Sequence, residues 1–312
     1  MQFSVESWAP EYGTAADATQ MEEATTAVDP SIERSLDAWS PITPDPTVER
    51  PVRLLFVDGV RRIDASIWVT TGDSTRAGVC ASVAAGSVLC TPGSATIHEV
   101  RVLRGLFAGP CAGAETIEIP PHGVYEAFPC SGDAPEDLYL GIHQQMTQLE
   151  ATIAAAHDAD LVVFDGPLRG RNDEFSVGYV KTQHVQYLPT ELLVVLNHLG
   201  PGQRTPLFLI GASTATRFSW YLRLPGPMSQ PLSGMVRCEM MAVGSVQEAM
   251  RRADAISLVL PRFASEPHKD PRAPQNLYPI SGLEQRLRHR LGDTLLLERA
   301  LRRAAGKPAI FA

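Results

Sequence analysis

The chain has 312 residues and a globular composition, with 44% hydrophobic and 20% charged residues. No apolar run approaches the roughly 20 residues that a membrane-spanning helix needs, and the N-terminus lacks the pattern of a secretory signal. The net charge of −8 argues against a non-specific nucleic-acid binder. Five cysteines form no CxxC pair, which indicates free thiols in a reducing cytoplasm and disfavours structural zinc.

The charge is distributed unevenly along the chain. Residues 1–50 carry ten Asp/Glu against two Arg, a net −8, whereas residues 261–312 carry ten Lys/Arg against five Asp/Glu, a net +5. An acidic chain can therefore still present a basic surface to a substrate. The composition of residues 1–50 predicts a flexible acidic arm and linker, with one short helix near PSIERSLDAW, and residues 51–312 are predicted to form one domain.

From Val52 onwards the pattern predicts strands, then a helix, then another strand. RLLFVDG is followed by the alternating segment RIDASIWVTTG, and GVCASVAAGSVLC and HEVRVLRGLFAG continue an antiparallel run. Within LYLGIHQQMTQLEATIAAAHDA, four apolar residues (Ile142, Met146, Leu149 and Ile153) fall at helical spacing. DLVVFDG is apolar throughout, which is typical of a strand buried on both faces in a mixed or parallel sheet.

The second half of the chain continues in the same α/β style. A helix is predicted over LPTELLVVLNHLG and strands over TPLFLIGAS, TRFSWYLRLP, GMVRCEMMAV and AISLVLPRF. A polar, Pro-rich loop, ASEPHKDPRAPQNLYP, leads into a long helical C-terminal region. These elements predict an α/β fold with a mixed sheet flanked by helices.

Three acidic residues occupy positions that suggest a common site. Asp58 and Asp165 each end an apolar strand and precede a glycine, and Glu150 borders the apolar stripe of the intervening helix. Each Asp-Gly is, taken singly, also an ordinary turn signal, and Glu150 alone is compatible with an interfacial residue that leans to solvent. Taken together, the three carboxylates predict an oxygen-rich site for Mn²⁺ or Mg²⁺.

The order Asp on the first strand, Glu on the first long helix and Asp on a later strand is that of RNase H-like nucleases. In these enzymes two divalent ions about 4 Å apart hold the scissile phosphate. More specifically, FVDGVRR, LEATIAAAHDADLVVFDGPL, GYVKTQ, RFSWYLRLP, GMVRCE and NLYPISGLEQRLRHRLGD resemble the NurA nucleases, in family order over roughly residues 50–300. The resemblance implies an RNase H-like, manganese-dependent nuclease.

The resemblance also implies an activity and partners. It implies 5′–3′ exonuclease and single-strand endonuclease action on DNA, a cytoplasmic homodimer, and docking on a HerA-type hexameric ATPase in DNA end processing, repair or defence. It makes Asp58, Glu150 and Asp165 the metal ligands, and it places Lys181 near the substrate and Tyr278 at the catalytic site. The family histidine falls at Arg286, three residues before His289, so either His289 takes this role or the protein manages without it.

The alternating segment TRFSWYLRLP offers further substrate contacts. Arg217 and Arg223 share one strand face and are predicted to follow a single strand of DNA, with Tyr221 between them as a base-stacking surface or as an ordinary half-exposed residue.

Two alternatives to the nuclease function remain. One is a catalytically inactive RNase H-like scaffold for the ATPase ring, and the other is a Rossmann-like binding protein, which the lack of a GxGxxG after the first strand disfavours.

Overall fold

The structure is a computed structural model that describes residues 22–23, 26–168, 173–182, 185–211, 216–226 and 232–306. Residues 1–21 and 24–25 of the predicted N-terminal arm lie outside these ranges. The chain divides into two compact units. The first unit comprises residues 1–56, 89–96 and 158–281, and the second comprises residues 57–88, 97–157 and 282–312.

The described ranges contain thirteen strands and five α-helices. The strands are β1 (Glu22–Glu23), β2 (Val28–Asp29), β3 (Leu54–Thr71), β4 (Ser74–Thr91), β5 (Ser94–Ala108), β6 (Ile117–Glu118), β7 (Val124–Pro129), β8 (Leu161–Asp165), β9 (Ser176–Val180), β10 (Val185–Gln186), β11 (Phe208–Ile210), β12 (Arg217–Arg223) and β13 (Met235–Met241). The helices are α1 (Pro135–Ala155), α2 (Thr190–His198), α3 (Val246–Val259), α4 (Tyr278–Arg290) and α5 (Thr294–Ala305). Short 3₁₀ turns cover Leu36–Ala38 and Leu260–Phe263.

The first unit is built on a mixed sheet with helices on both faces. Its strand order is β2-β11-β12-β13-β9-β8, in which β8 and β9 are parallel and the other neighbours are antiparallel. Alternation along β12 sends Tyr221 into the cluster that packs α2 against the sheet. Trp220, on the opposite face, donates its indole N–H to Ser257 of α3 at 3.0 Å. Because β8 and β9 run parallel, their carboxyl ends lie at the same edge of this sheet.

The second unit carries the strand order β3-β4-β5-β7-β6, with β5 and β7 parallel. Helix α1 covers one part of this sheet, where Leu138 and Ile142 pack on Val83 and Phe107. Helix α5 packs elsewhere on the same unit, through a separate cluster that includes Cys80, Leu106, Tyr125, Leu297 and Leu301. The prediction of an α/β fold with a mixed sheet flanked by helices is confirmed.

The prediction of a strand over AISLVLPRF is wrong. Residues Val246–Val259 form α3 instead, and Leu260–Phe263 continue as a 3₁₀ turn. Ser245 caps α3 by accepting the N–H of Glu248 at 3.2 Å, and this Ser-x-x-Glu pattern is a helix-start signal that outweighs the β-branched character further on.

The predicted helical C-terminal region is present as two helices, α4 and α5. Gly292 lies between them and adopts a φ of 82°.

The described part of the predicted arm is packed rather than free. Val28–Asp29 pairs with β11, and Trp39 is buried against α2 and the first-unit sheet. The Glu33 carboxylate, 2% exposed, forms a salt bridge with Arg204, which is 1% exposed. A short 3₁₀ turn at Leu36–Ala38 stands within the segment where a short helix was predicted. Residues 26–50 therefore contribute to the core of the first unit.

No helix within the described residues is both long enough and apolar enough to cross a membrane.

The five cysteines are free thiols, as predicted, and only Cys111 is exposed. Burial, with a smaller contribution from Asp64, raises the pKa of Cys80 to about 12, and burial raises that of Cys90 to about 11. Three pKa units correspond to about a 1000-fold lower thiolate fraction, so Cys80 should react far more slowly than an exposed thiol.

Titration with a thiol reagent should show one rapidly reacting thiol, that of Cys111, in the folded protein and five after denaturation. A second fast thiol in the folded protein would contradict this assignment.

Candidate functional site

The carboxyl ends of β8 and β9 place an acid and a base in direct contact. Asp165 is the last residue of β8, and Lys181 follows the last residue of β9. The Lys181 ammonium donates to Asp165 Oδ2 at 2.6 Å, and the two side chains are only 11% and 16% exposed respectively. The other oxygen, Asp165 Oδ1, is buried and has no hydrogen-bond partner among the described residues. A buried carboxylate oxygen that the protein leaves unsatisfied is compatible with a metal ligand.

Lys181 has a second partner from the loop that precedes α4. Its ammonium donates to Asn276 Oδ1 at 2.9 Å, and Asn276 Nδ2 donates to Asp270 Oδ2 at 2.6 Å. Burial raises the pKa of Asp270, but hydrogen bonds from Ser281, from the backbone N–H of Arg272 and from Asn276 outweigh it, so the pKa lies below its ordinary value. Asp270 is therefore a charged acceptor.

The connection after Asp165 is fixed by backbone contacts. Gly166 adopts a φ of 105°, which only glycine tolerates readily, and its N–H bonds to the carbonyl of Tyr179 at 2.8 Å. The N–H of Leu168 donates to Glu239 Oε1 at 2.7 Å. Gly178 leaves room for this arrangement, because a Cβ there would lie 2.9 Å from both Glu239 Cγ and the Gly166 carbonyl oxygen.

Glu239 is a fully buried carboxylate held by two arginines. Arg217 Nη1 donates to its Oε1 at 2.9 Å and Arg237 Nη1 to its Oε2 at 2.6 Å. Burial raises the pKa of Glu239, but the charges of Arg237 and Arg217 outweigh that effect and hold the pKa below its ordinary value. Arg217, whose side chain is 23% exposed, is the solvent-facing member of this group. The position of Arg217 is compatible with its predicted contact to DNA.

Arg223 occupies a different environment from Arg217. It is 1% exposed, and its guanidinium donates to the backbone carbonyls of Ser233 at 2.5 Å and Leu196 at 3.0 Å. These contacts give Arg223 a structural position, and its role in substrate binding stays a prediction. Tyr221 is 3% exposed and stacks on Phe208 at 5.8 Å between ring centroids, so it is a core residue here and not an open stacking surface.

In the second unit the structure brings Glu150 next to the strand that carries Asp58. Both acids are buried, at 6% exposure for Asp58 and 5% for Glu150. A Cβ at Gly59 would lie 2.4 Å from Glu150 Oε1 and 2.8 Å from Met146 Cγ, so α1 lies directly on β3 here. Asp58 Oδ1 accepts the N–H of Gly59 at 2.8 Å. The prediction that Glu150 faces inward from its helix is confirmed.

The structure thus shows two local arrangements of predicted site residues, one in each unit. Asp165 contacts Lys181 in the first unit, and Glu150 adjoins the Asp58 segment in the second. Within the described ranges, no group of three or more His, Cys, Asp or Glu side chains is arranged to hold a metal ion. Joint metal ligation by Asp58, Glu150 and Asp165 therefore stays a prediction.

Tyr278 and His289 both belong to α4 and lie far apart along it. Tyr278 is the first residue of the helix and is half-buried, with Lys269 Nζ 5.0 Å from its ring centroid. His289 is exposed in the last turn, eleven residues later, or about 16 Å along the axis at 1.5 Å per residue. Arg286 is also exposed. The helix does not bring His289 to Tyr278, and which of His289 and Arg286 fills the family position stays open.

Sequence reasoning missed Asn276 and Glu239, which contact the predicted site residues Lys181 and Arg217 respectively, and Asp270, which contacts Asn276. Asn276 and Asp270 lie in a segment that composition marks only as a polar loop, although Asn276 is the first residue of the NLYPISGLEQRLRHRLGD segment that carries the resemblance. Glu239 was within reach of a sequence argument. Arg237 and Glu239 are two residues apart in an apolar strand, so they share one face, and two charges on a buried face require partners.

Comparisons with known proteins gave matches only among solved structures. No known protein family matches the sequence, and no curated protein matches it. The crystal structure of the NurA nuclease from Sulfolobus solfataricus is similar with a TM-score of 0.49 and 12% identity, over 86% of this chain and 89% of that one. The crystal structure of an endonuclease V from Bacillus subtilis is similar with a TM-score of 0.34 and 10% identity, over 76% of this chain and 79% of that one.

The class that the observed elements define is an α/β protein with mixed sheets and helices packed on them. Because no family matches at the level of sequence, the assignment to the NurA nucleases that the motifs suggest stays a prediction.

Proposed function

We propose that this protein is a divalent-metal-dependent nuclease that hydrolyses phosphodiester bonds in DNA. The observation that carries the proposal is the strand-end pair Asp165 and Lys181, in which one carboxylate oxygen is buried without a hydrogen-bond partner among the described residues. An acid beside an ammonium group suits a site that takes both a cation and a phosphate, because the carboxylate attracts the cation and the ammonium attracts the anion.

Asp58, Glu150 and Asp165 would hold Mn²⁺ or Mg²⁺, which supplies charge stabilisation to a phosphoryl group and lowers the pKa of a bound water. Lys181 would position a phosphate oxygen through its ammonium group, and Arg217 would do so from the solvent-facing side of the Glu239 group. Tyr278 would shape the site at the start of α4.

The motif resemblance adds finer elements to the proposal. These are action on single strands and DNA ends, a homodimeric state in the cytoplasm, and a HerA-type hexameric ATPase as partner.

The direct test is cleavage of end-labelled single-stranded DNA by the purified protein with Mn²⁺ or Mg²⁺. Labelled fragments that form with the metal and disappear with EDTA support the proposal. If neither metal gives cleavage, even with the partner ATPase added, the chain is instead the inactive scaffold that the sequence left as an alternative.

Gly59→Ala provides a test of the Glu150 arrangement. The new Cβ would lie 2.4 Å from Glu150 Oε1 and 2.8 Å from Met146 Cγ, so the Glu150 carboxylate must move. A displacement of about 1 Å in a catalytic group lowers rates by up to about 100-fold, and we expect a loss of about 10–100-fold in cleavage rate. Gly282→Ala is the control, because a Cβ there meets nothing within 4 Å. Equal rates for Gly59→Ala and the wild type would remove Glu150 from the site.

A further inference from the structure

The loop before α4 supplies a buried amide to the proposed site. Asn276 is 0% exposed, and its Oδ1 accepts from Lys181 Nζ at 2.9 Å while Asp165 Oδ2 accepts from the same ammonium at 2.6 Å. An ammonium group has three N–H donors. Two of them are used by these two acceptors in the described part of the chain, and the third is left for a phosphate oxygen.

The orientation of the Asn276 amide is dictated by its neighbours. Lys181 can only donate, and the Asp270 carboxylate can only accept. The amide must therefore direct Oδ1 to Lys181 and Nδ2 to Asp270 Oδ2, which lies at 2.6 Å. Asp270 is itself 4% exposed, and its Oδ1 accepts the N–H of Arg272 at 2.8 Å.

The backbone of Asn276 is fixed as well. Its N–H donates to the carbonyl of Arg272 at 3.0 Å, and its carbonyl accepts from the N–H of Ser265 at 3.0 Å. The amide is therefore held at both its backbone and its side chain, and this is the arrangement by which a buried residue fixes the geometry of a functional group that it contacts.

We propose that Asn276 and Asp270 are positioning residues for Lys181. Asp270 fixes the Asn276 amide, and the Asn276 carbonyl oxygen holds the Lys181 ammonium beside Asp165, where it meets a phosphate of the nucleic acid. This inference rests on the proposed nuclease function for its role in catalysis. The placement of Lys181 by Asn276 is independent of that function and can be measured separately.

A double-mutant cycle tests the catalytic part. Asn276→Ala should lower the cleavage rate by about 10–100-fold, the usual effect of losing a partner of a site group. The same substitution should have little further effect in a Lys181→Ala background, because the two residues act as one unit. Asn197→Ala, exposed on α2, is the matched control and should leave the rate unchanged. Additive losses in the cycle would show that Asn276 does not act through Lys181 and would overturn the proposal.

An exchange of the two side chains guards against a variant that simply fails to fold. Asn276→Asp alone places two carboxylates face to face and should lower the rate. Asn276→Asp combined with Asp270→Asn lets the amide at 270 donate to the carboxylate at 276, which still accepts from Lys181. The double variant should recover most of the rate and stability. Failure to recover the rate, in a variant that unfolds at the wild-type temperature, would argue against the proposed chain of contacts.

Amine labelling measures the placement of Lys181 without any activity. The sequence has three lysines, Lys181, Lys269 and Lys307, and the Lys269 side chain is 55% exposed. Mass spectrometry after brief acetylation should show slow labelling of Lys181 relative to Lys269, and Asn276→Ala should raise the Lys181 rate towards that of Lys269. An unchanged ratio overturns the inference. If the wild type cleaves no DNA but the ratio rises, the proposed function fails while the placement of Lys181 stands.

Discussion

Asp165→Asn is expected to lower metal-dependent DNA cleavage by more than about 100-fold while leaving the fold intact. The substitution keeps the shape of the side chain but removes the negative charge at the end of β8. An amide at this position would bind a divalent ion more weakly than the carboxylate does. The substitution also removes the charged partner of Lys181, whose Nζ lies 2.6 Å from Asp165 Oδ2. Gel analysis of end-labelled single-stranded DNA with Mn²⁺ gives the rate, and Asp58→Ala should show the same loss.

Two controls make this result specific. Asp73→Asn removes a carboxylate from the exposed β3–β4 turn and should cleave at the wild-type rate. Calorimetric titration with Mn²⁺ in the absence of DNA should show binding to the wild type and an affinity lower by at least about 10-fold for Asp165→Asn. Cleavage by Asp165→Asn at the wild-type rate would show that the carboxylate at the end of β8 is not part of the active site.

The end of the strand at Asp165 was predictable from the local pattern, whereas the predicted strand end at Asp58 is wrong. Strand β3 continues through Asp58 and Gly59 to Thr71, because the alternating segment after Gly59 extends the same strand. Both apolar runs lie in strands, β3 and β8, and Glu150 is buried where its helical period places it.

The contact between Asp165 and Lys181 was not predicted, because it depends on the parallel pairing of β8 with β9, which the local sequence does not specify. Asn276 likewise reaches Lys181 across a sequence separation of 95 residues, and no periodicity specifies such a contact.

For the N-terminal segment, the sequence predicted a free arm where the structure shows packed residues. Its acidic, Pro-rich composition predicts an arm, because composition measures the average tendency to bury surface. Single residues decide otherwise. Trp39 enters the α2 cluster, and Glu33 meets a buried arginine that lies 171 positions away. A buried carboxylate is unfavourable unless a cationic partner compensates its charge. The local sequence does not show which residue that partner is.

Glu33→Gln is expected to lower the free energy of unfolding of the first unit by about 3 kcal/mol. Arg204 donates to both Glu33 oxygens at 2.9 Å and, through Nε, to Asp254 Oδ1 at 2.6 Å. Burial lowers the pKa of Arg204, but the hydrogen bonds and charges of Glu33 and Asp254 outweigh it and raise the pKa above its ordinary value. Neutralising Glu33 leaves a buried guanidinium with one carboxylate in place of two. Denaturant unfolding followed by Trp fluorescence measures the loss.

Glu49→Gln is the matched control, because Glu49 is exposed in the same segment and should change stability by less than about 0.5 kcal/mol. The double variant Glu33→Gln with Arg204→Met should be less destabilised than the sum of the two single variants, since the second substitution removes the charge that the first leaves uncompensated. If Glu33→Gln behaves like Glu49→Gln, residues 26–50 do not hold Arg204 in solution and the segment is the free arm that its composition predicts. If the loss approaches 3 kcal/mol, residues 26–50 belong to the core of the first unit, and a truncation at residue 50 would leave Arg204 buried without its bidentate partner.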